Sequence, residues 1–290
     1  MEFFHVPESA GIDLGMYLAR HSADQLVVYK YVNQVPLYLA FFFPPAYNPS
    51  KKYPAFVFIH GGAWESRKIF EDQNCWQGDY LGFLARYYSE KGFLSICIDY
   101  RLVRNNGQTS GYGLIDSCED CCDAMNYVQT NAGTYGIDTD RIYLLGESAG
   151  GHLAACVSTL HYKKEYVFKT VFLINSITDM NDPHWNSYVP KQSNHILLAP
   201  LSFSERTVLL SPLYQIDEHT SQTVLIHGNH DTCVDKKHSE AFYRRMCAES
   251  RSCDLHLLAD TDHAFLLAEF TDNINPCKTG IQIINSYLPS

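Results

Sequence analysis

Ile142-Tyr143-Leu144-Leu145-Gly146-Glu147-Ser148-Ala149-Gly150-Gly151-His152-Leu153 is the stretch whose reading decides the fold. The apolar run Ile142 to Leu145 is written as a strand buried on both faces, the signature of a parallel sheet. From Ala149 the apolar spacing turns helical and predicts a helix from Ala149 to Leu160. Gly146-Glu147-Ser148-Ala149-Gly150 lies on the junction and is G-x-S-x-G in the strand-to-helix context that this pattern requires. Turning from strand to helix within one residue forces a strained backbone at Ser148, and bulk at Gly146 or Gly150 would collide with adjacent backbone. The turn lifts the Ser148 hydroxyl above the sheet. It also aims the first N–H groups of the helix at whatever that hydroxyl attacks, where the helix dipole favours negative charge.

Outward from this elbow, apolar runs alternate with helical patterns. Strands are expected at Ala55 to Ile59, Leu94 to Ile98, Val171 to Ile174, Val224 to Ile226 and Leu255 to Leu258. Helices are expected near Asp79 to Lys91, Ile115 to Thr130, Lys236 to Glu249 and Ile281 to Tyr287. Leu26-Val27-Val28 and Leu37 to Phe43 predict an antiparallel hairpin that opens the sheet, and Pro7-Glu8-Ser9 caps a short expected helix toward Arg20. The fold class is therefore α/β, a mostly parallel central sheet with helices on both faces, in one domain over residues 1–290. Two segments could cover a site: the first thirty residues, and Thr178 to Ser211, whose prolines and irregular patterning make it a long connection with a lid or pocket-wall role.

His60-Gly61-Gly62-Ala63-Trp64 follows the Ala55 to Ile59 strand and so opens at the same edge of a parallel sheet as Ser148. Adjacent glycines there let backbone N–H groups approach a ligand oxygen, as the oxyanion of an acyl-transfer intermediate requires; Gly61, Gly62 and Ala149 are the candidate donors. A serine nucleophile needs a base, and the base an orienting carboxylate, both at later strand ends. His227-Gly228-Asn229-His230-Asp231 follows one predicted strand and Asp260-Thr261-Asp262-His263 another, which nominates Asp231 and His263. Asp235 competes for the acid role but is better read as the N-cap of the Lys236 to Glu249 helix. Among the other histidines, His256 sits mid-strand, and His161, His184 and His195 lie far from the active edge; His152 lies one turn beyond the elbow and is read as structural. The run His227, His230, Asp231, Cys233, Asp235, His238 contains potential metal ligands, but it lacks H-E-x-x-H or paired C-x-x-C spacing, and Cys118, Cys121 and Cys122 fall within a helical pattern. No metal and no cofactor is expected.

The chain has 22 Lys+Arg against 32 Asp+Glu, a formal charge of -10 that repels phosphate backbones and argues against nucleic acid as a partner. No apolar run approaches the ~20 residues of a membrane-spanning helix, and Met1 to Ala10 lacks the basic start and apolar stretch of a secretory signal. A cytoplasmic protein with no membrane partner is expected. Ten cysteines in 290 residues are too few for a disulfide scaffold and are expected to be mostly reduced and buried.

Together, His60-Gly61-Gly62-Ala63-Trp64, Asp99-Tyr100-Arg101-Leu102, Gly146-Glu147-Ser148-Ala149-Gly150, His227-Gly228 through Asp231, and His263-Ala264-Phe265 resemble the α/β-hydrolase superfamily. Within it the chain is similar to the esterase/lipase group: hormone-sensitive-lipase-like and feruloyl-esterase-like carboxylesterases, and kynurenine formamidases. The resemblance spans about Val35 to Leu288. It implies Ser148 as nucleophile, His263 as general base, Asp231 as its orienting acid, and the loop after His60 as the oxyanion hole, with Asp99 to Leu102 as a structural brace. Lipase-like relatives usually carry a third glycine where this chain has Ala63. That departure favours small acyl groups, with Ala63, Trp64 and Glu147 as substrate-binding positions and only a small lid. The expected activity is a serine carboxylesterase acting on short acetyl or aryl esters through an acyl-enzyme. The alternatives are an arylformamidase or small peptidase with the same triad, and a hydrolase-fold protein that binds a ligand without turning it over.

Overall fold

The computed structural model describes residues 22–65, 80–105, 108–160, 166–263 and 275–289; the helix expected between Pro7 and Arg20, and His161, lie outside them. Eight strands build one sheet: β1 Gln25–Val32, β2 Val35–Phe42, β3 Tyr53–Ile59, β4 Leu94–Ile98, β5 Ile137–Glu147, β6 Thr170–Ile174, β7 Thr223–Gly228 and β8 Cys253–Leu258. Their order across the sheet is β1-β2-β4-β3-β5-β6-β7-β8. β1 pairs antiparallel with β2 and β2 with β4, while every other neighbouring pair is parallel. The hairpin between β1 and β2 turns through Asn33 and Gln34, both at positive φ, as a tight two-residue hairpin requires.

The strands bury both faces, so alternate residues supply two separate cores. On one face Val57, Ile96, Leu144, Leu173 and Leu225 pack against α2 Leu114–Thr130, α3 Ala149–Thr159 and α5 Lys237–Ala248, where Phe242 and Met246 are buried. On the other, Phe56, Phe58, Tyr143, Phe172 and Ile226 meet α1 Tyr80–Glu90 and α6 Asn275–Ser286 through Leu84, Tyr88, Ile281 and Ile284. Phe56 is central to this second core, with Phe58, Tyr88, Tyr143 and Phe172 rings within 5.9 Å of its own. Burying one such side chain is worth about 1.5–3 kcal/mol.

One expectation is corrected. The first thirty residues are not wholly a covering segment: Gln25 to Lys30 belong to β1, because the Leu26-Val27-Val28 run pairs with β2 at the edge of the sheet. The Thr178 to Ser211 connection carries short helical elements of its own. It contains a 3-10 turn, Asn186–Tyr188, and the helix α4 Phe203–Leu209. Ser202 starts α4 through a capping box, accepting from Glu205 N and donating to the Glu205 carboxylate. Met180, Trp185, Val189, Leu198 and Leu210 from this connection are buried in the core. Arg206 fixes its path by donating to the carbonyls of Leu198, Pro190 and Lys191. The result is a packed wall over α3 rather than a loose loop.

Candidate active site

β5 runs straight into α3 through Ser148, whose φ of 54° lies in the left-handed region that non-glycine residues avoid. A Cβ on Gly146 would come within 2.8 Å of the Ala154 side chain, and one on Gly150 within 2.6 Å of the His60 carbonyl carbon, so the turn closes only with glycine at both positions. The strained residue is held by its N–H donating to Ile174 O at 2.8 Å and by its carbonyl accepting from His152 N at 3.0 Å.

The structure brings Ser148, His263 and Asp231 together. His263 Nε2 lies 3.0 Å from Ser148 Oγ, and His263 Nδ1 lies 2.7 Å from Asp231 Oδ2. A carboxylate can only accept, so the imidazole carries its proton on Nδ1 and presents Nε2 as acceptor to the hydroxyl. Asp231 Oδ1 accepts from Cys233 N and Val234 N at 2.9 and 2.8 Å. Burial disfavours the Asp231 carboxylate, but hydrogen bonds from His227 and His263 outweigh it and hold the group far below the usual carboxylate range. Burial likewise opposes charge on His263, yet its bond to Asp231 and the Glu147, Asp231 and Asp262 charges raise it above its usual 6.5.

The loops bearing acid and base are zipped together. Asn229 N donates to Leu258 O at 2.9 Å, His230 N to Thr261 O at 3.0 Å, and Thr232 N to Asp262 Oδ1 at 2.9 Å. Asp262 Oδ1 also accepts from His263 N at 2.7 Å. Asp235 stands apart from the site. Its Oδ1 accepts from Lys237 N at 3.0 Å at the start of α5, one residue before the Lys236 position that precedes the first helical turn.

The His60 loop reaches the elbow from β3. A Cβ on Gly61 would lie 3.0 Å from Glu147 O and 3.4 Å from Ser148 Cβ, so this backbone abuts the elbow itself. Tyr100 braces the loop, donating its hydroxyl to His60 O at 2.8 Å and stacking on the His60 ring at 4.1 Å. Arg101 anchors that brace to α2 with Nε 2.7 Å from Asp120 Oδ2 and Nη1 2.9 Å from Asp116 Oδ1, and Lys30 reaches Asp120 from β1 at 2.6 Å. Glu147 is buried, with Oε1 3.9 Å from His263 Nε2. Ala63 is half-buried in a turn at φ 53°. Trp64 corrects the expectation of a substrate-facing side chain. It has no exposed surface, because its indole packs among His152, Trp185 and Tyr188 at ring distances of 5.0 to 5.9 Å. It supports the wall from behind.

His152 Nε2 lies 2.8 Å from Leu210 O, tying α3 to the connection that covers it, and burial lowers its pKa to about 4. His152 with Cys118 and Cys156 forms the one potential metal-ligating set among the described residues, all buried and within 4.8 Å of one another. In the run from His227 to His238, Asp231 meets His263, Asp235 accepts from Lys237 N from one residue before the N-cap Lys236 rather than from the N-cap position the sequence suggested, and His238 Nδ1 accepts from Thr178 N. Among the described residues six cysteines are buried, while Cys233 and Cys247 are exposed.

The sequence assigns no role at the site to two residues that stand there. Asn175, at φ 45° just beyond β6, donates its side-chain amide to His263 O and accepts from Gly228 N at 3.0 Å. His227, inside β7, lies with Nε2 2.9 Å from Val234 O and 3.2 Å from Asp231 Oδ2. Only its position four residues before Asp231 could have drawn attention to it.

With Ser148 at the strand-to-helix turn, a glycine loop beside it, and Asp231 and His263 on the last two strand loops, the comparison with known proteins becomes specific. A family model described as BD-FAE matches residues 41–246. The chain belongs to the BD-FAE family. A probable isoprenylcysteine alpha-carbonyl methylesterase of Oryza sativa subsp. japonica is 28% identical over 238 residues, covering 74% of this chain and 52% of its own length. The kynurenine formamidase of Danio rerio is 23% identical over 78% of this chain and 70% of its own. A thermophilic esterase of Thermogutta terrifontis, solved with butyrate bound, superimposes with a TM-score of 0.72 at 22% identity over 92% of this chain and 93% of its own. That likeness is one of fold, the α/β-hydrolase fold of a BD-FAE protein. The chain spans about half the length of the curated methylesterase. Among the described residues no helix is long and apolar enough to cross a membrane.

Proposed function

We propose that this BD-FAE protein is a serine carboxylesterase that hydrolyses short-chain acyl esters without a cofactor. The observation that carries the reading is the chain of contacts Ser148 Oγ, His263 Nε2 and His263 Nδ1, Asp231 Oδ2 at 3.0 and 2.7 Å. Ser148 attacks the ester carbonyl as His263 Nε2 takes its proton, and Asp231 stabilises the imidazolium that forms. The N–H groups of Gly61, Gly62 and Ala149 receive the oxyanion, each donor being worth ~10²- to 10³-fold in rate. His263 returns the proton to the leaving alcohol, and water then releases the acid from the acyl-enzyme by the same relay. Ala63, with a side chain where a third glycine would leave space, and the Thr178 to Ser211 wall favour small acyl groups.

The test is hydrolysis of p-nitrophenyl acetate. Ser148→Ala is expected to lower kcat by at least ~10⁴-fold and to abolish labelling by a fluorophosphonate; a Ser148→Ala protein as active as wild type would refute the assignment. An arylformamidase is the second reading, favoured by the similarity to a kynurenine formamidase over most of both chains. A panel of acetyl, butyryl and feruloyl esters beside N-formylkynurenine separates the two.

A further inference from the structure

His227 is fully buried in β7, and no step of the proposed reaction uses it. Its Nε2 faces two acceptors, Val234 O at 2.9 Å and Asp231 Oδ2 at 3.2 Å. A nitrogen between two acceptors must carry the proton. Nδ1, 2.7 Å from Ser239 Oγ on α5, is then the acceptor for the serine hydroxyl. The two acceptors set the tautomer that points an N–H at the acid, and Ser239 anchors the opposite edge of the ring.

The partners of Asp231 give this N–H its importance. Oδ1 is fixed by two backbone donors, whereas among the described residues Oδ2 faces two imidazoles, His263 on one side and His227 on the other. The groups around the pair are Glu147 and Asp262 facing His263, and His238 near His227. A carboxylate that must accept from a moving base during turnover keeps its orientation only if its other contacts are rigid, and a fully buried, two-point-anchored imidazole is rigid.

We infer that His227, with its ring anchored by Ser239 and Val234 O, is a positioning residue of the proposed triad that holds Asp231 Oδ2 on the line to His263 Nδ1. The inference rests on the serine hydrolase reading. It differs from a purely structural role for His227, which would change stability and leave turnover of the folded protein alone.

The experiment compares wild type with His227→Leu, His227→Gln and Ser239→Ala. The readouts are p-nitrophenyl acetate kinetics and the low-field proton resonance of His263 Nδ1–H. Leu removes a donor to a charged group, so kcat should fall on the order of 10- to 100-fold with KM little changed, and the resonance should move upfield or broaden. Gln, which keeps an N–H within reach, should recover most of kcat. Ser239→Ala removes the hydrogen bond that anchors the ring at Nδ1 and should lower kcat several-fold, and it decides the question should the Leu protein not fold. Wild-type kcat and an unmoved resonance in folded His227→Leu or Ser239→Ala would overturn the inference. A wild type that neither turns over esters nor takes fluorophosphonate would instead sink the hydrolase reading, with the resonance still reporting on His227.

Discussion

Gly228→Ala tests whether the spacing between acid and base is set by backbone contact. Gly228 ends β7, three residues before Asp231, against the loop that carries His263. A Cβ there would stand 2.8 Å from Asp262 O and 2.9 Å from the Thr261 carbonyl carbon, where real Cβ atoms essentially never come within 3.0 Å of such neighbours. Both obstacles are main chain, so no side chain can swing aside, and the His263 loop must retreat from β7 by roughly half an ångström. Nothing nearby absorbs the shift, because the two loops are already latched through His230 N to Thr261 O and Thr232 N to Asp262 Oδ1. A misplacement of about 1 Å costs ~10²-fold in rate, so half that distance predicts a fall in kcat of roughly 10-fold. The overpacking itself should cost about 1–3 kcal/mol of stability. Steady-state hydrolysis of p-nitrophenyl acetate and urea unfolding of the same preparation measure the two effects. A folded Gly228→Ala protein with wild-type kcat would refute the reasoning, since acid and base would then keep their spacing without this close approach.

Two further outcomes follow from the protonation equilibria. The proposed base must be neutral to act, and His263 is raised above 6.5, so kcat/KM should fall as pH drops through a value above 6.5; Glu147→Gln removes a charge 3.9 Å from Nε2 and should move that limb to lower pH. An unmoved or rising limb in a pH-rate profile would remove Glu147 from the electrostatics of the base. His152, depressed to about 4, binds its proton more readily unfolded than folded, so its contribution is complete above about 6.5 and is lost progressively as pH falls toward 4, by about 3 kcal/mol in all. Chemical denaturation at several pH values should show a shallower loss over that window in His152→Gln, which retains a donor for Leu210 O.

What the sequence made legible follows from how each element is stabilised. Leu94 to Ile98 is legible residue for residue, because a strand buried on both faces is dominated by apolar residues, interrupted here only by the small Ser95, and it stops at Asp99. β5 is longer than its apolar run, starting at Ile137, because Asp138, Thr139 and Asp140 extend it at the surface, with a register shift against Pro54 and Ala55 and no apolar signal. α4 is hidden by its seven residues and by Phe203 and Val208 on its exposed side, though Ser202-Phe203-Ser204-Glu205 spells its capping box. Ser148, Asp231 and His263 are legible because each is announced by its own strand and turn. Asn175 is not, because its partners Gly228 and His263 are distant in sequence, and His227 is not, because no residue pattern tells on which side of its strand the imidazole meets Asp231. Asn175 shows why such a residue is nonetheless required. The sheet order places the end of β6 between the elbow on β5 and the acid on β7, so the residue that follows Ile174 meets the Gly228 N–H on one side and the His263 carbonyl on the other. One needs an acceptor and the other a donor. A carboxylate lacks the donor and a cation the acceptor, whereas the short amide of asparagine supplies both and, among non-glycine residues, most readily tolerates the positive φ at which the chain leaves the strand.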